Sequence, residues 1–255
     1  MSEEEKLVGG NVSDSVVRIG STVRKPATVA TPAVQALLTH LHSVGFAGAP
    51  QGLGLDERGR QVFEFIPGAM WDRKQQNTLA DLRRVGALIR SLHDATASFT
   101  PPRSAEWNTL SVPDGHDILC HNDLAPWNLV CGADRWAFID WDNAAPGTRL
   151  WDLAWATISF PPVEPDCDLS VAATAIHAIV EGYRLPPSEY GKLLRLMATR
   201  ARAGSDLLVQ GARTGQQPWV RLYAEGHDKY WGPVSNYIDR SASILEGMLV
   251  SLSAG

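Results

Sequence analysis

Residues 120 to 142 read CHNDLAPWNLVCGADRWAFIDWD, and no other stretch limits the fold so tightly. Two apolar runs, 128 to 131 and 135 to 139, are separated by the turn-forming GADR. Runs joined so closely pair as an antiparallel ribbon. Pairing brings Asn128, at the start of one run, beside Asp140, at the end of the other, and Asp123 on the entering loop can face the same space. Three oxygen-bearing side chains then converge at one end of an apolar ribbon.

The pattern before the ribbon is strand-like. Val16 to Ile19 and Thr22 to Arg24 flank a Gly20-Ser21 turn, a hairpin signal. TPAVQALLTHLHSVGF follows, with Thr31 as N-cap, Pro32 in the first turn, and Val34, Leu37, Leu38 and Leu41 at helical spacing up to Gly45. Two further runs, 52 to 55 and 61 to 66, are joined by a polar turn and stopped by Pro67-Gly68. The order is strand, strand, helix, strand, strand, and 67 to 77 reads as a joint. From Thr78 the period becomes helical, with Asp81 at the capping-box offset and Leu79, Leu82, Val85, Ile89 and Leu92 on one face. Beyond Leu150 the chain is mostly helical, broken by FPPVEPD, RLPPSE and RTGQQP. Strands followed by helices indicate an α+β class, with 1–66 as one lobe and 67–255 as the other.

Composition removes several function classes. With 255 residues, 44% hydrophobic, 20% charged and a net charge of -5, the chain can bury a substantial core and has no basic footprint for nucleic acid. The segment MSEEEKLVGG is acidic where a secretory signal is basic, and no run of about 18 apolar residues occurs, so a cytoplasmic protein without a membrane partner is expected. Cys120, Cys131 and Cys167 lack paired spacing and read as reduced, packed thiols.

Carboxylate and amide oxygens are hard ligands that suit Mg²⁺, which usually shares its coordination with substrate phosphates. In phosphoryl-transfer sites of the kinase type, an H-x-D-x-x-x-x-N loop supplies an Asp for the acceptor hydroxyl and an Asn for metal, and a downstream Asp holds metal across the phosphates. His121, Asp123 and Asn128 match that spacing, and Asp140 is the downstream Asp.

The sequence resembles the aminoglycoside phosphotransferase and choline kinase group, small-molecule kinases of the protein-kinase-like fold. The resemblance rests on HNDLAPWN (121 to 128), FIDWD (138 to 142) and DLAW (152 to 155), with weaker support from LIRSLHD and FEFIPG. It implies a small, mainly antiparallel-sheet N-lobe and a larger, mostly helical C-lobe. It also implies transfer of a γ-phosphoryl group from ATP or GTP to the hydroxyl of a small molecule, such as an aminoglycoside or another antibiotic. Asp123 would be the base or the carboxylate that orients the acceptor, and Asn128 and Asp140 the Mg²⁺ ligands; Asp142, one pleat beyond Asp140 and on the same face, would help with a second metal or the acceptor. Asp152 would buttress the loop. Glu64, Phe65 and Ile66 would offer backbone groups to adenine, and Gly9, Gly10, Asn11 and Ser13 would cover the phosphates.

A strand's alternation lets only one of Arg24 and Lys25 face the nucleotide; register with the family's strand favours Lys25. The usual Glu partner is missing from the 31–43 helix, where Gln35 is the nearest polar candidate, and Asn122 replaces the family's usual Gly. His93, His116 and His121 read as structural or exposed, and the tryptophans as core, with Trp141 near enough to pack an acceptor. Acids at 166, 168, 225 and 228 read as solvated helix ends before cleft residues. Two other readings stand beside the kinase: a metal-dependent hydrolase using His116, His121, Asp123, Asp140 and Asp142, and a non-catalytic nucleotide-binding regulatory protein.

Overall fold

The computed structural model describes residues 4–7, 16–74 and 78–255. Within them the N-lobe is a sheet of order β1-β2-β3-β5-β4, every neighbouring pair antiparallel: Glu5–Lys6 (β1), Val17–Ile19 (β2), Thr22–Lys25 (β3), Gly52–Leu55 (β4) and Gln61–Glu64 (β5). Helix α1 (Thr31–Ser43) connects β3 to β4 and buries Val34, Leu37, Leu38 and Leu41 almost completely. Its N-cap is Ala30, not Thr31. Thr31 is the first helical residue, and its hydroxyl accepts from the Thr28 N–H at 2.8 Å, because Pro32 occupies the first turn. Strand β1 escapes the sequence pattern because two residues carry no alternation.

The expected joint 67–77 contains a strand, β6 (Ala69–Met70), which pairs with β8 (Leu129–Cys131). Next comes α2 (Leu79–Thr96), whose Thr78–Asp81 capping box forms as predicted. Leu82, Val85, Ile89 and Leu92 are buried, but Leu79, in the first turn, is 40% exposed. Strand β7 (Ile118–Cys120) pairs with β10 (Ala145–Gly147), and β8 pairs with β9 (Trp136–Phe138).

The remaining helices are α3 (Arg149–Ser159), α4 (Leu169–Tyr183), α5 (Tyr190–Thr214), α6 (Trp219–Ala224) and α7 (Asp228–Ser253). The sequence allows α2 and α4 an unusually close crossing. A Cβ on Gly86 would come within 2.0 Å of the Ile179 carbonyl oxygen, and one on Gly182 within 2.0 Å of the Arg83 carbonyl oxygen. A small antiparallel N-lobe thus stands against a larger helical C-lobe, the two-lobe kinase arrangement expected. No described helix is long and apolar enough to cross a membrane. The three cysteines are free; only Cys120 is fully buried.

Candidate active site

The ribbon forms in the expected register, Leu129 opposite Phe138 and Cys131 opposite Trp136. Asn128 itself lies in a 3-10 turn, Pro126–Asn128, because Pro126 fixes a turn conformation before the strand can begin. Its carbonyl still accepts from the Ile139 N–H at 2.8 Å, which places Asn128 beside Asp140.

Asp140 adopts a left-handed conformation, φ 61°, which Asp tolerates better than most residues. The chain then enters a 3-10 turn, Trp141–Asn143, so Asp142 is not one pleat further along a strand as expected. The turn nevertheless delivers both carboxylates to one point: Lys25 Nζ is 2.8 Å from Asp140 Oδ1 and 2.8 Å from Asp142 Oδ1. Lys25 is 8% exposed. Burial opposes its charge, but the two carboxylates outweigh burial and hold the ammonium above its ordinary range. Burial likewise opposes ionisation of Asp140, and Lys25 overrides it, holding the carboxyl below its usual range.

Arg24 points the other way, bonding Thr22 Oγ1 and lying 3.5 Å from Asp56. Alternation along β3 therefore turns Lys25 alone toward the ribbon. Gln35 is not its partner. Gln35 Oε1 accepts from the Gly54 N–H at 2.9 Å and its Nε2 donates to the Val62 carbonyl at 3.4 Å, so this side chain ties α1 to the sheet. The aspartates of the ribbon end take the place of the absent helix Glu.

The loop entering the ribbon hangs on Asp152. Its Oδ2 accepts from the His121 N–H at 2.9 Å and its Oδ1 from the Asn122 N–H at 2.8 Å, while His93 Nε2 lies 3.2 Å from Oδ2. Burial works against the Asp152 charge, but His93, His121 and the loop N–H bring its pKa below the ordinary value. His121 Nε2 donates to the Ile139 carbonyl at 3.0 Å, and Nδ1 accepts from the Asp123 N–H at 3.2 Å, so both ring nitrogens are engaged within the loop. Asn122, at φ 64°, takes the left-handed conformation that Gly would take freely. Its amide donates to the carbonyls of Asn143 and Ala145, fixing the turn from the side.

Asp123, the half-buried acid of the loop, is held by three side-chain donors. Trp155 Nε1 donates to Oδ1 at 2.9 Å; Asn128 Nδ2, at 2.8 Å, and Trp127 Nε1, at 3.3 Å, donate to Oδ2. Burial raises its pKa and the charge of Asp140 adds to the rise, against the opposing influence of His121 and the indoles. Trp155 and Trp127 were legible only as default core residues, and Arg200 carries no sequence signal at all. Arg200, buried on α5, donates to the Asn122 carbonyl at 2.7 Å and to Ser111 Oγ at 3.1 Å. Trp141, expected near an acceptor, is 2% exposed and packs on the His121 ring at 4.6 Å; Trp127, 45% exposed, is the indole at the open side.

Among the described residues no three His, Cys, Asp or Glu side chains form a group that could hold a metal ion. The oxygen set nevertheless suits Mg²⁺. Asp140 and Asp142 already converge on one cation, and Asn128 directs its amide nitrogen to Asp123, so Oδ1 is the atom with which it could hold a metal. One or two carboxylates completed by phosphates is the usual Mg²⁺ arrangement.

At the expected adenine edge, the Glu64 N–H donates to the Gln51 carbonyl at 3.0 Å and the Phe65 N–H to the Ser21 carbonyl at 2.9 Å. Ile66 packs with Val130, Ala137 and Ile139 in a small apolar cluster separate from the main core. Gly9, Gly10, Asn11 and Ser13 lie outside the described residues. Among the other acids, Asp168 caps α4 through the Ser170 N–H and Glu225 pairs with Arg221, the helix-end roles expected.

Residues 103–192, which contain this loop and ribbon, match the phosphotransferase enzyme family. The chain is also 31% identical over 215 residues to the trifolitoxin immunity protein of Rhizobium leguminosarum bv. trifolii, covering 79% of this chain and 82% of that protein. The chain belongs to the phosphotransferase enzyme family. Solved structures agree on the fold. A choline/ethanolamine kinase family protein from Mesorhizobium loti superposes with a TM-score of 0.68 at 17% identity, over 98% of this chain and 92% of that one. An amicoumacin kinase in complex with AMP-PNP, Ca²⁺ and Ami gives 0.64 at 14% identity, over 91% and 88% of the two chains. A choline kinase from Cryptosporidium parvum gives 0.55 at 13% identity, over 93% of each. The family makes the chain a phosphotransferase by class, and the solved structures share the kinase-like fold that its sequence predicts.

Proposed function

We propose that this phosphotransferase moves the γ-phosphoryl group of ATP or GTP to a hydroxyl of a small molecule. The observation that carries the proposal is the meeting of Lys25 with Asp140 and Asp142 at the end of the ribbon that also holds Asn128 and Asp123. Lys25 would contact the phosphates. Asn128 and Asp140, with Asp142 beside them, would hold Mg²⁺, which offsets charge on the phosphates when bound. Ile66 and its apolar neighbours, with the backbone of Glu64 to Ile66, would receive the base. Because the Glu64 and Phe65 N–H groups already serve the lobe, the Ile66 N–H and the carbonyls are the groups left for it.

In the reaction, the acceptor oxygen forms a bond to the γ-phosphorus as the bond from phosphorus to the β–γ bridging oxygen breaks, releasing the nucleoside diphosphate. The hydroxyl proton passes to Asp123. A carboxylate whose pKa is raised by burial holds that proton better than an exposed one does.

The relation to an immunity protein supports a finer reading, in which the acceptor is a toxic compound inactivated by phosphorylation. The hydrolase reading has less support, since His116 is exposed and both nitrogens of His121 are engaged. The test is incubation with Mg·ATP and, in parallel, Mg·GTP against aminoglycosides, macrolides, peptide antibiotics, choline and amino-alcohols, with mass spectrometry for an added phosphate. A phosphorylated product that disappears in Asp123→Ala supports the proposal. Product formation that survives Asp123→Ala overturns the role of Asp123.

A further inference from the structure

We propose that Trp155 is a positioning residue for Asp123, holding Oδ1 through its indole N–H so that Oδ2 is the oxygen presented to the acceptor. The inference rests on the phosphotransfer reading of the site and adds to it a residue outside the loop and ribbon.

The geometry is that of a braced clamp. Trp155 lies on α3, one turn beyond Asp152, the residue that fixes the two N–H groups preceding Asp123. One helix therefore holds the loop backbone and the loop's carboxylate together. The indole that reaches Oδ1 is itself fixed on two sides. The Arg200 guanidinium lies 5.0 Å from its ring centroid, and the Trp231 ring packs against it at 4.7 Å and 32°. Arg200 also donates to the Asn122 carbonyl, adjacent to Asp123, so α5 braces the clamp and the loop with one side chain.

The two oxygens consequently differ. Oδ1 accepts from a half-buried indole at 2.9 Å, whereas Oδ2 accepts from the Asn128 amide at 2.8 Å and, by a longer bond of 3.3 Å, from Trp127, which is 45% exposed. Asn128 steadies Oδ2 from the ribbon side, and Trp127 marks the side open to solvent. An acceptor hydroxyl entering beside Trp127 reaches Oδ2 by displacing the long Trp127 bond, while Asn128 keeps its own. Without the Trp155 N–H, Oδ1 loses its side-chain donor, and rotation about Cβ–Cγ is restrained from the Oδ2 side alone, by Asn128 and Trp127. Misorientation of a general base lowers turnover more than it alters nucleotide binding.

The experiment uses the full chain. In ¹H–¹⁵N spectra, the indole resonance absent from Trp155→Phe identifies Trp155. That resonance should be shifted downfield and slow to exchange in the wild type, and should move upfield and exchange faster in Asp123→Ala. Basal Mg·ATP hydrolysis, with water in the acceptor position, is measured alongside. Trp155→Phe keeps a ring for Arg200 and Trp231 but removes the donor; it should lower kcat about tenfold or more, with KM for Mg·ATP changed less than about twofold. An unchanged Trp155 resonance in Asp123→Ala, or an unchanged kcat in a folded Trp155→Phe protein, overturns the inference. If Trp155→Phe does not fold, the assignment comes from Trp155→His and the Asp123→Ala spectrum decides. A wild type that neither binds nor hydrolyses Mg·ATP or Mg·GTP overturns the phosphotransfer reading instead, and with it the role assigned to Trp155.

Discussion

Lys25 and Asp140 are 115 residues apart in sequence and 2.8 Å apart in space, and their ion pair joins the N-lobe sheet to the ribbon of the C-lobe. Because Asp142 lies equally near, one ammonium is shared by two carboxylates and the cluster keeps an excess negative charge. Any Mg²⁺ arriving alone must compete with that ammonium, whereas Mg²⁺ arriving with phosphates gives the lysine a new partner.

Replacing the lysine should therefore act in opposite directions on the two ligands. In Lys25→Met the carboxylates lose their counter-charge, so affinity for Mg²⁺ alone rises while affinity for Mg·ATP falls by about tenfold or more. Calorimetric titration with MgCl₂ and then with Mg·ATP checks both signs. A parallel change in the two affinities would contradict the shared role of the lysine.

Asp123 and Asp140 should separate chemistry from binding. Asp123→Asn keeps the shape and the carbonyl acceptor but loses the base, and turnover is expected to fall by about 10²- to 10⁴-fold with nucleotide affinity nearly unchanged. Asp140→Ala should lower both. Single-turnover rates at saturating Mg·ATP, set beside equilibrium dissociation constants, distinguish the two patterns.

Asp152 links the site to stability and pH. Its pKa is lower in the folded protein than in the unfolded chain, so the folded state binds the proton less readily. The stabilisation it gives is present above the unfolded value of about 4 and is lost as pH falls through the depressed folded value. Asp152→Asn removes the charge and leaves its loop partners poorly matched. We expect a loss of about 2–4 kcal/mol near pH 7, and a flatter dependence of stability on pH below about 5 than in the wild type. Urea unfolding across that pH range measures both.

The close crossing of α2 and α4 predicts a purely structural defect. In Gly86→Ala the new methyl group meets the Ile179 carbonyl oxygen at 2.0 Å, so the helices must separate. A loss of about 1–3 kcal/mol is expected for such overpacking, equivalent to several degrees in Tm for a chain of this size. Calorimetry should show the lower Tm, with nucleotide affinity per folded molecule preserved.

These residues were not equally legible. The ribbon could be read because turn chemistry and apolar runs are local, and local pairing fixes Asn128 and Asp140 as neighbours. Alternation along a strand leaves only one of Arg24 and Lys25 to face the site, and register with the family's strand, not alternation, favours Lys25. Strand β6 could not be read, since two residues pair only because β8 offers an edge far away in sequence. Trp155 lay within a noticed motif, yet its N–H bond to Asp123 depends on how α3 packs against the loop. Arg200, on α5, reaches the loop only through tertiary packing, and nothing in its neighbouring residues signals it. Asp142 reaches Lys25, a partner not expected for it, by a 3-10 turn after a left-handed residue, a local change that hydrophobic periodicity does not encode.

Binding of Mg·ATP to the wild type and to Asp140→Ala, compared by calorimetry with and without Mg²⁺, tests the site most directly because it requires no knowledge of the acceptor. The account predicts saturable binding that needs Mg²⁺ and weakens by about tenfold or more in the variant. Wild-type protein that ignores both Mg·ATP and Mg·GTP, or a variant that binds the nucleotide as tightly as the wild type, would contradict it.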